Sequence, residues 1–180
     1  MRMAMLCIAL FLIFSSTSVY AQLFCTNNSN YPVWVAVGYN YMPNNPDEIG
    51  ANVNNVWVTE SWIMLKVGET AQLSTHIGYD HTYGTKTNFY YYAYQPTPNG
   101  KIWAGNRQLL IDINPPEVDP HVFKTRILFA NRIDLYQDRP SLQYAKFRMV
   151  PLENPGYYTV VLEQDDPDDG MYYPVMHGDE

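Results

Sequence analysis

Apolar and polar residues alternate with a period of two over several short stretches of this chain, which is the spacing of a β-strand with one buried face. Every second residue from 33 to 37 is valine, and this predicts a side that faces a core. The intervening positions hold Trp34, Ala36 and Gly38. One large ring beside two small residues predicts that another segment of the chain lies close to that side.

The stretch 89–94 carries five aromatic rings in six residues. Aromatic side chains favour strands because they pack well on a pleated surface. A period of two places Tyr90, Tyr92 and Tyr94 on one side of such a strand. A strand that is apolar on both sides is expected in the middle of a packed sheet or behind a binding surface.

Turn residues and polar stretches predict where the strands end. Asn99 and Gly100 both accept a positive φ, so they predict a type I′ hairpin that leads from the aromatic stretch into a strand near residues 101–104. Residues 76–87 are mostly polar and include two glycines, which predicts a loop tip. Residues 69–75 alternate again and predict a strand before that tip.

The density of these stretches predicts the fold class. In a chain of 180 residues, the apolar stretches are separated by Gly, Pro and Asn, and no apolar pattern with helical spacing extends far. This predicts an all-β fold, a single antiparallel β-sandwich of roughly ten short strands. The sandwich domain is assigned to residues 22–163, and residues 164–180 are predicted to be a flexible acidic tail.

The first 21 residues have the composition of a secretory signal peptide. Arg2 is followed by an apolar run at residues 3–14 and by a Val-x-Ala cleavage site that ends at Ala21. The apolar run is shorter than the about 20 residues that a membrane-spanning helix needs. The protein is therefore predicted to be exported to the periplasm, the outer surface or the medium, with no membrane span after signal cleavage.

The charge and the cysteines narrow the range of partners. The formal net charge is −7, which argues against nucleic acid and anionic membrane surfaces as partners. Cys7 lies in the signal segment, so Cys25 is the only thiol of the exported chain. One thiol cannot close an internal disulfide. Cys25 is predicted to be buried, and pairing with another chain is the alternative.

Several short motifs between residues 24 and 105 resemble a known family. They occur in the order Phe24-Cys25-Thr26-Asn27, Val35-Ala36-Val37-Gly38-Tyr39, Trp57-x-x-Glu60-x-Trp62, Tyr91-Tyr92-Ala93 and Trp103-Ala104-Gly105. In this order and spacing the chain resembles the bacterial exported proteins grouped as domain of unknown function 1036. The resemblance implies an envelope or extracellular location and no known reaction. Family members carry further cysteines that this chain lacks, one of them where it has Thr70, so the resemblance implies no disulfide here.

Two polar clusters hold residue types that ligate metals. His76, Asp80 and His81 lie on the predicted loop tip, and two imidazoles, a carboxylate and a water can form a catalytic zinc site. Asp166 and Asp168 belong to a run of aspartates whose oxygens suit calcium. Neither cluster matches a known metal-binding spacing. The chain is therefore predicted to bind no cofactor, and both clusters are kept as metal candidates only.

The aromatic residues are the main candidate binding set. Tyr and Trp are enriched as anchors of protein interfaces. This favours a non-enzymatic interaction module, a subunit or accessory protein of a cell-envelope or surface assembly, with a protein partner. The candidate contact residues are Trp57, Glu60, Trp62, Tyr90, Tyr92, Tyr94 and Trp103.

Three other interpretations stay open. The same rings can stack on sugars, so a carbohydrate-binding module that binds a glycan is the first alternative. A metal-dependent hydrolase at His76, Asp80 and His81 is the second. Core and cross-strand packing of the rings is the interpretation that involves no ligand.

Overall fold

The computed structural model describes residues 21–44, 56–80, 84–113, 122–123, 125–152 and 157–165. Within these ranges the chain forms ten β-strands and one 3-10 turn, so the predicted all-β fold is confirmed. The strands are β1 (Ala21–Asn28), β2 (Val33–Met42), β3 (Val56–Leu65), β4 (Thr70–Asp80), β5 (Gly84–Tyr94), β6 (Ile102–Trp103), β7 (Arg107–Asp112), β8 (Thr125–Leu128), β9 (Leu142–Met149) and β10 (Tyr157–Glu163), and the 3-10 turn is Ile133–Tyr136.

The strands follow the order β10-β1-β4-β5-β2-β3-β8 and fold over into a β-sandwich. β4 pairs with β1 along most of its length and with β5 at its end, so it passes from one layer to the other. β9 pairs with both β7 and β5, which attaches the β7–β9 pair to the free edge of β5.

One pair of strands departs from the predicted antiparallel arrangement. β1 and β10 run parallel, from Gln22 opposite Tyr157 to Asn28 opposite Glu163. Parallel neighbours need a long connection. These are the first and last strands of the domain, so the whole domain provides it. The sandwich is confirmed, but it is not wholly antiparallel.

The main core lies between β1, β4 and β10 on one side and β2, β3 and β5 on the other. Val33, Val35 and Val37 are each 0% exposed there, as the alternation predicted. They belong to one cluster with Leu73 of β4 and Leu162 of β10. Burying an aliphatic side chain of this size contributes about 1.5–3 kcal/mol to folding.

The opposite side of β2 is also covered, by a second core. Ala36 and Trp62 pack there with Leu109 of β7 and Phe147 of β9. The approach is closest at Gly38, where a Cβ would lie 2.5 Å from Leu109 Cδ1 and 3.4 Å from Phe147 Cδ1. The predicted close approach is thus confirmed, and the β7–β9 pair makes it. The central strands β2, β3 and β5 are covered on both sides.

The polar stretch 76–87, predicted as a loop tip, is mostly strand. β4 continues to Asp80 and β5 begins at Gly84, and Gly78 lies opposite Lys86 in an antiparallel pair. The prediction was wrong because side-chain patterns report burial, whereas backbone N–H and C=O groups pair wherever two strands run side by side.

The hairpin after the aromatic strand forms with a different turn. β6 pairs with β5 as predicted. However, the turn is closed by a 2.9 Å hydrogen bond from Gly100 N to Thr97 O, and Asn99 has the positive φ of 62°. Pro98 has a fixed negative φ, so the geometry is that of a type II turn with Pro98 and Asn99 at its centre. The type I′ prediction overlooked the proline.

Cys25 lies in the middle of β1, opposite Val160 of β10 and Ala71 of β4. It is 0% exposed and forms no disulfide, so the prediction of a buried thiol is confirmed. Burial raises the pKa of the Cys25 thiol. A neutral thiol in an apolar core is unreactive, because the thiolate is the nucleophile.

Replacing Gly38 by valine should lower the free energy of unfolding by about 1–3 kcal/mol, because the added atoms overlap Leu109 in a packed core. Urea titration followed by tryptophan fluorescence measures the loss. The control is the double variant Gly38→Val/Leu109→Ala, whose loss should be smaller than the sum of the two single losses. Additive losses would show that β7 does not lie against Gly38.

In a chain that carries Cys7→Ser, Cys25 should react with a thiol reagent only as fast as the protein opens, because the thiol is buried and neutral. Labelling is followed by mass spectrometry in native buffer and in rising denaturant. Complete modification within the mixing time in native buffer, at the rate of a free thiol, is the result that contradicts a buried Cys25.

Candidate functional site

Six aromatic side chains of β2, β3 and β5 lie on the side of the sheet that carries the second core, and we call them the ring layer. Strand pairing aligns them, since Trp34 lies opposite Tyr94, and the tyrosines two and four positions earlier on β5 point the same way. Opposite those two stand Ala36 and Gly38, which leave room for large rings. The ring layer consists of Trp34, Trp57, Trp62, Tyr90, Tyr92 and Tyr94.

A β-bulge brings both tryptophans of β3 into this layer. Positions 57 and 62 are an odd number of residues apart, so a regular strand would direct their side chains to opposite sides. The pairing of β3 with β2 skips Trp62, because Val35 pairs with Ile63 and the next residue, Ala36, pairs with Ser61. The extra residue reverses the alternation, and both indoles face the second core.

Trp62 is the centre of the ring layer. It is 1% exposed, and its indole Nε1 donates a 2.6 Å hydrogen bond to the backbone oxygen of Asp112. Tyr94 stands edge-on to it, with ring centroids 5.2 Å apart and planes at 84°. Tyr92 stands similarly at 6.0 Å and 62°. Edge-to-face pairs contribute about 0.5–1.5 kcal/mol beyond their burial, so Trp62 holds the tyrosines in place and is itself out of reach.

The tyrosines of the ring layer are half-buried, and their hydroxyl groups remain available for hydrogen bonds. Within the described ranges, the hydroxyls of Tyr90, Tyr92 and Tyr94 have no hydrogen-bond partner. Burial raises the pKa of Tyr92. Burial and the neighbouring Tyr92 hydroxyl raise the pKa of Tyr94 to about 12. Both of these hydroxyls are therefore neutral at physiological pH and can donate or accept a hydrogen bond.

The other end of the ring layer is built on Trp57. Its ring centroid lies 5.6 Å from that of Tyr90, with the planes at 69°. The guanidinium carbon of Arg107, the first residue of β7, lies 4.0 Å from the Trp57 ring centroid. This is a cation–π contact. The Nε of Arg107 is buried and has no hydrogen-bond partner among the residues that the structure describes.

The β7–β9 pair covers the middle of the ring layer. Phe147 lies 5.9 Å from Tyr92 between ring centroids, and Leu109 lies over Gly38. Part of the aromatic content therefore serves packing. The half-buried rings on either side of this cover are Trp34, Tyr92 and Tyr94 at one end and Trp57 and Tyr90 at the other.

Two of the predicted contact residues lie outside the ring layer. The Glu60 carboxylate accepts a 2.7 Å hydrogen bond from the Tyr39 hydroxyl and lies 3.7 Å from Arg126 Nε, on the main-core side of β3. Burial and the Glu60 charge raise the pKa of Tyr39. Trp103 pairs with Ala93 and is 0% exposed in the main core. Their strand positions direct both side chains away from the ring layer.

Two residues of the site were not among the predicted contacts. Trp34 was assigned to a closely approached face, but its place beside Tyr94, at 5.5 Å between centroids, depends on strand pairing. Arg107 carried a signal of its own. It precedes Leu109 and Ile111 with a period of two, so it holds a charge where the alternation calls for an apolar residue.

The metal candidates lie outside what the structure describes. His81, Asp166 and Asp168 are outside the described residues, and the described part of His76 and Asp80 is their backbone on β4. Within the described ranges, no group of three or more His, Cys, Asp or Glu side chains is placed to hold a metal ion.

A comparison with models of known protein families finds no match, and a comparison with curated proteins finds no significant one. The resemblance to the domain of unknown function 1036 therefore stays a prediction. Among the residues with described structure, no helix has the length and apolar character needed to cross a membrane. The fold and the site together define an all-β sandwich with a half-buried aromatic layer on one side.

Tyr94 should make the protein lose stability in strong base. Its pKa is raised from 10.0 to about 12 in the folded chain, so its contribution is fully present below pH 10 and is lost as the pH rises toward 12. The variant Tyr94→Phe should lose less stability across this window, measured as urea midpoints. Its ultraviolet titration should also lack one late-ionising phenol, and curves that coincide near pH 12 would contradict the assignment.

Proposed function

We propose that this protein is an exported, non-enzymatic interaction module, a subunit or accessory protein of an assembly in the cell envelope or at the cell surface. A protein partner binds the accessible part of the ring layer. The observation that carries the proposal is the pair Tyr92 and Tyr94. These half-buried rings stand edge-on against Trp62, and their hydroxyls have no partner in the described part of the chain.

Rings held in this way suit a protein interface. Immobilising a flexible side chain on binding costs about 0.5–1.5 kcal/mol. Tyr92 and Tyr94 are already fixed by Trp62 and by each other, at 6.2 Å between centroids. A partner that covers them gains apolar burial and hydrogen bonds to two hydroxyls at little further cost in side-chain entropy.

The contacts of the rings favour a protein over a glycan. A sugar stacks on an open ring face, and the guanidinium of Arg107 lies over a face of Trp57. Tyr92 and Tyr94 pack against Trp62 with ring planes at 62° and 84°. A partner surface that hydrogen-bonds their hydroxyls fits this arrangement.

The predicted signal peptide supports export, and the contacts of the Glu60 carboxylate support a non-enzymatic role. Residues 1–21 have the composition of a signal peptide, and cleavage after Ala21 would remove only the first residue of β1. Glu60 is hydrogen-bonded by Tyr39 and lies near Arg126, which fits a structural role. The proposal therefore assigns no catalytic residue and no cofactor.

The test compares two double variants of the tagged full-length protein, purified from its own envelope under mild conditions. Tyr92→Phe/Tyr94→Phe keeps both rings and removes both hydroxyls. It should weaken capture of a stoichiometric partner about tenfold, since two hydrogen bonds are lost. The control Tyr31→Phe/Tyr157→Phe makes the same change at two tyrosines that are each 52% exposed elsewhere, and should bind as the unaltered chain does.

Other results would overturn the proposal in distinct ways. An unaltered chain that purifies as a clean monomer contradicts the assembly role. Equal capture by both double variants removes the tyrosine hydroxyls from the interface. Saturable binding to glycans that disappears in Trp57→Ala or Tyr92→Ala would establish the carbohydrate-binding alternative instead.

A further inference from the structure

Arg107 differs from the other arginines that the structure describes because it lacks a polar partner. Within the described ranges it makes no hydrogen bond and no ion pair, and its Nε is buried. Each of the others has a partner: Arg126 lies 3.7 Å from Glu60, Arg132 2.6 Å from Asp134 and Arg139 3.7 Å from Asp112, and Arg148 donates a 3.2 Å hydrogen bond to Ala104 O.

The guanidinium of Arg107 is held in a defined place. Its carbon lies 4.0 Å from the centroid of the Trp57 ring, and Tyr90 packs edge-on against that indole. A guanidinium stacked on an aromatic face keeps its N–H groups in its own plane, where they can meet a planar acceptor. The Nε of Arg107 is buried, so an acceptor from outside the chain would meet the two terminal N–H₂ groups, which donate no hydrogen bond within the described ranges.

From this geometry we infer that Arg107, stacked on Trp57, is a carboxylate-binding site that receives an aspartate or glutamate side chain of the protein partner. The inference rests on the proposed function and adds the chemistry of the partner. The partner places an acidic residue against the terminal N–H groups of Arg107 while it covers the neighbouring Tyr90.

Charge and shape both favour a carboxylate. The chain has a formal net charge of −7, yet none of its acidic side chains in the described ranges pairs with Arg107. A carboxylate presents two oxygens in one plane and accepts two parallel hydrogen bonds from a guanidinium. Arg107 and Tyr90 both lie against Trp57, so one partner surface can contact the cation and this tyrosine together.

The probe is a short capped peptide that contains two glutamates, and the matched control is the same peptide with glutamines. Isotope-labelled full-length protein is titrated while NMR follows the Arg107 Nε–H and Trp57 Nε1–H signals. The glutamate peptide should shift both signals saturably, and the glutamine peptide should not. Arg107→Gln should weaken binding by about tenfold or more, since charge-assisted hydrogen bonds are lost.

Two further variants distinguish binding by the planar guanidinium of Arg107 from a general effect of positive charge on the protein. Arg132→Gln removes the same charge from an exposed residue paired with Asp134 and should leave peptide binding unchanged. Arg107→Lys keeps the charge but loses the planar fork, so it should also bind less tightly than the unaltered chain. Urea midpoints show that each variant is folded.

Several outcomes would overturn the inference. These are no response to the glutamate peptide, an equal response to the glutamine peptide, or an equal loss in Arg132→Gln. A stronger response to inorganic phosphate would overturn the carboxylate assignment. If the peptide fails to bind while Tyr92→Phe/Tyr94→Phe still loses its envelope partner, the carboxylate inference is wrong and the proposed function stands.

Discussion

The close approach of β7 to Gly38 is the contact on which the arrangement of this protein depends. The central strands β2, β3 and β5 carry apolar side chains on both sides, so neither side can be left in water. The main core covers one side with β1, β4 and β10. The other side is covered only because position 38 has no side chain, which lets Leu109 and Phe147 reach the sheet. The β7–β9 pair is held there by this fit and by its pairing with β5.

The β7–β9 pair is narrower than the sheet that it covers. The β7–β9 pair has two strands, whereas the ring layer extends across three. Trp62 is therefore sealed at 1% exposure, while its aromatic neighbours on either side remain half-buried. Large rings suit such a boundary, because a tyrosine can bury its ring and keep its hydroxyl in water. The same difference in width produces both the second core and the accessible surface.

Most of the fold follows from the alternation of residues, and most of the site does not. Valines at every second position of β2 identified the main core, and the small residues between them identified the close approach, because a period of two reports burial directly. The same rule fails across the bulge at Trp62, which reverses the faces of β3 without a clear signal in the sequence. A period of two places Glu60 opposite Trp57 correctly, but it puts Trp62 on the side of Glu60, whereas the bulge puts Trp62 on the side of Trp57. Trp103 was misplaced for a related reason, since its side is set by its pairing with Ala93. The parallel pairing of β1 with β10 joins the two ends of the domain, and no local pattern predicts such a contact.

Arg107 shows where the sequence departs from what packing alone requires. Leu109, Leu110 and Ile111 of β7 all lie in the second core, at 0%, 0% and 4% exposure, and a period of two places Arg107 on the side of Leu109 and Ile111. An aliphatic residue at position 107 would continue this pattern and would bury no polar group. The guanidinium instead gains a stack on Trp57 and leaves a buried Nε without an acceptor in the described ranges. The buried Nε costs stability that an aliphatic side chain would not cost, so packing of the sandwich gives no reason for an arginine here, and the inferred carboxylate would bind the terminal N–H groups instead.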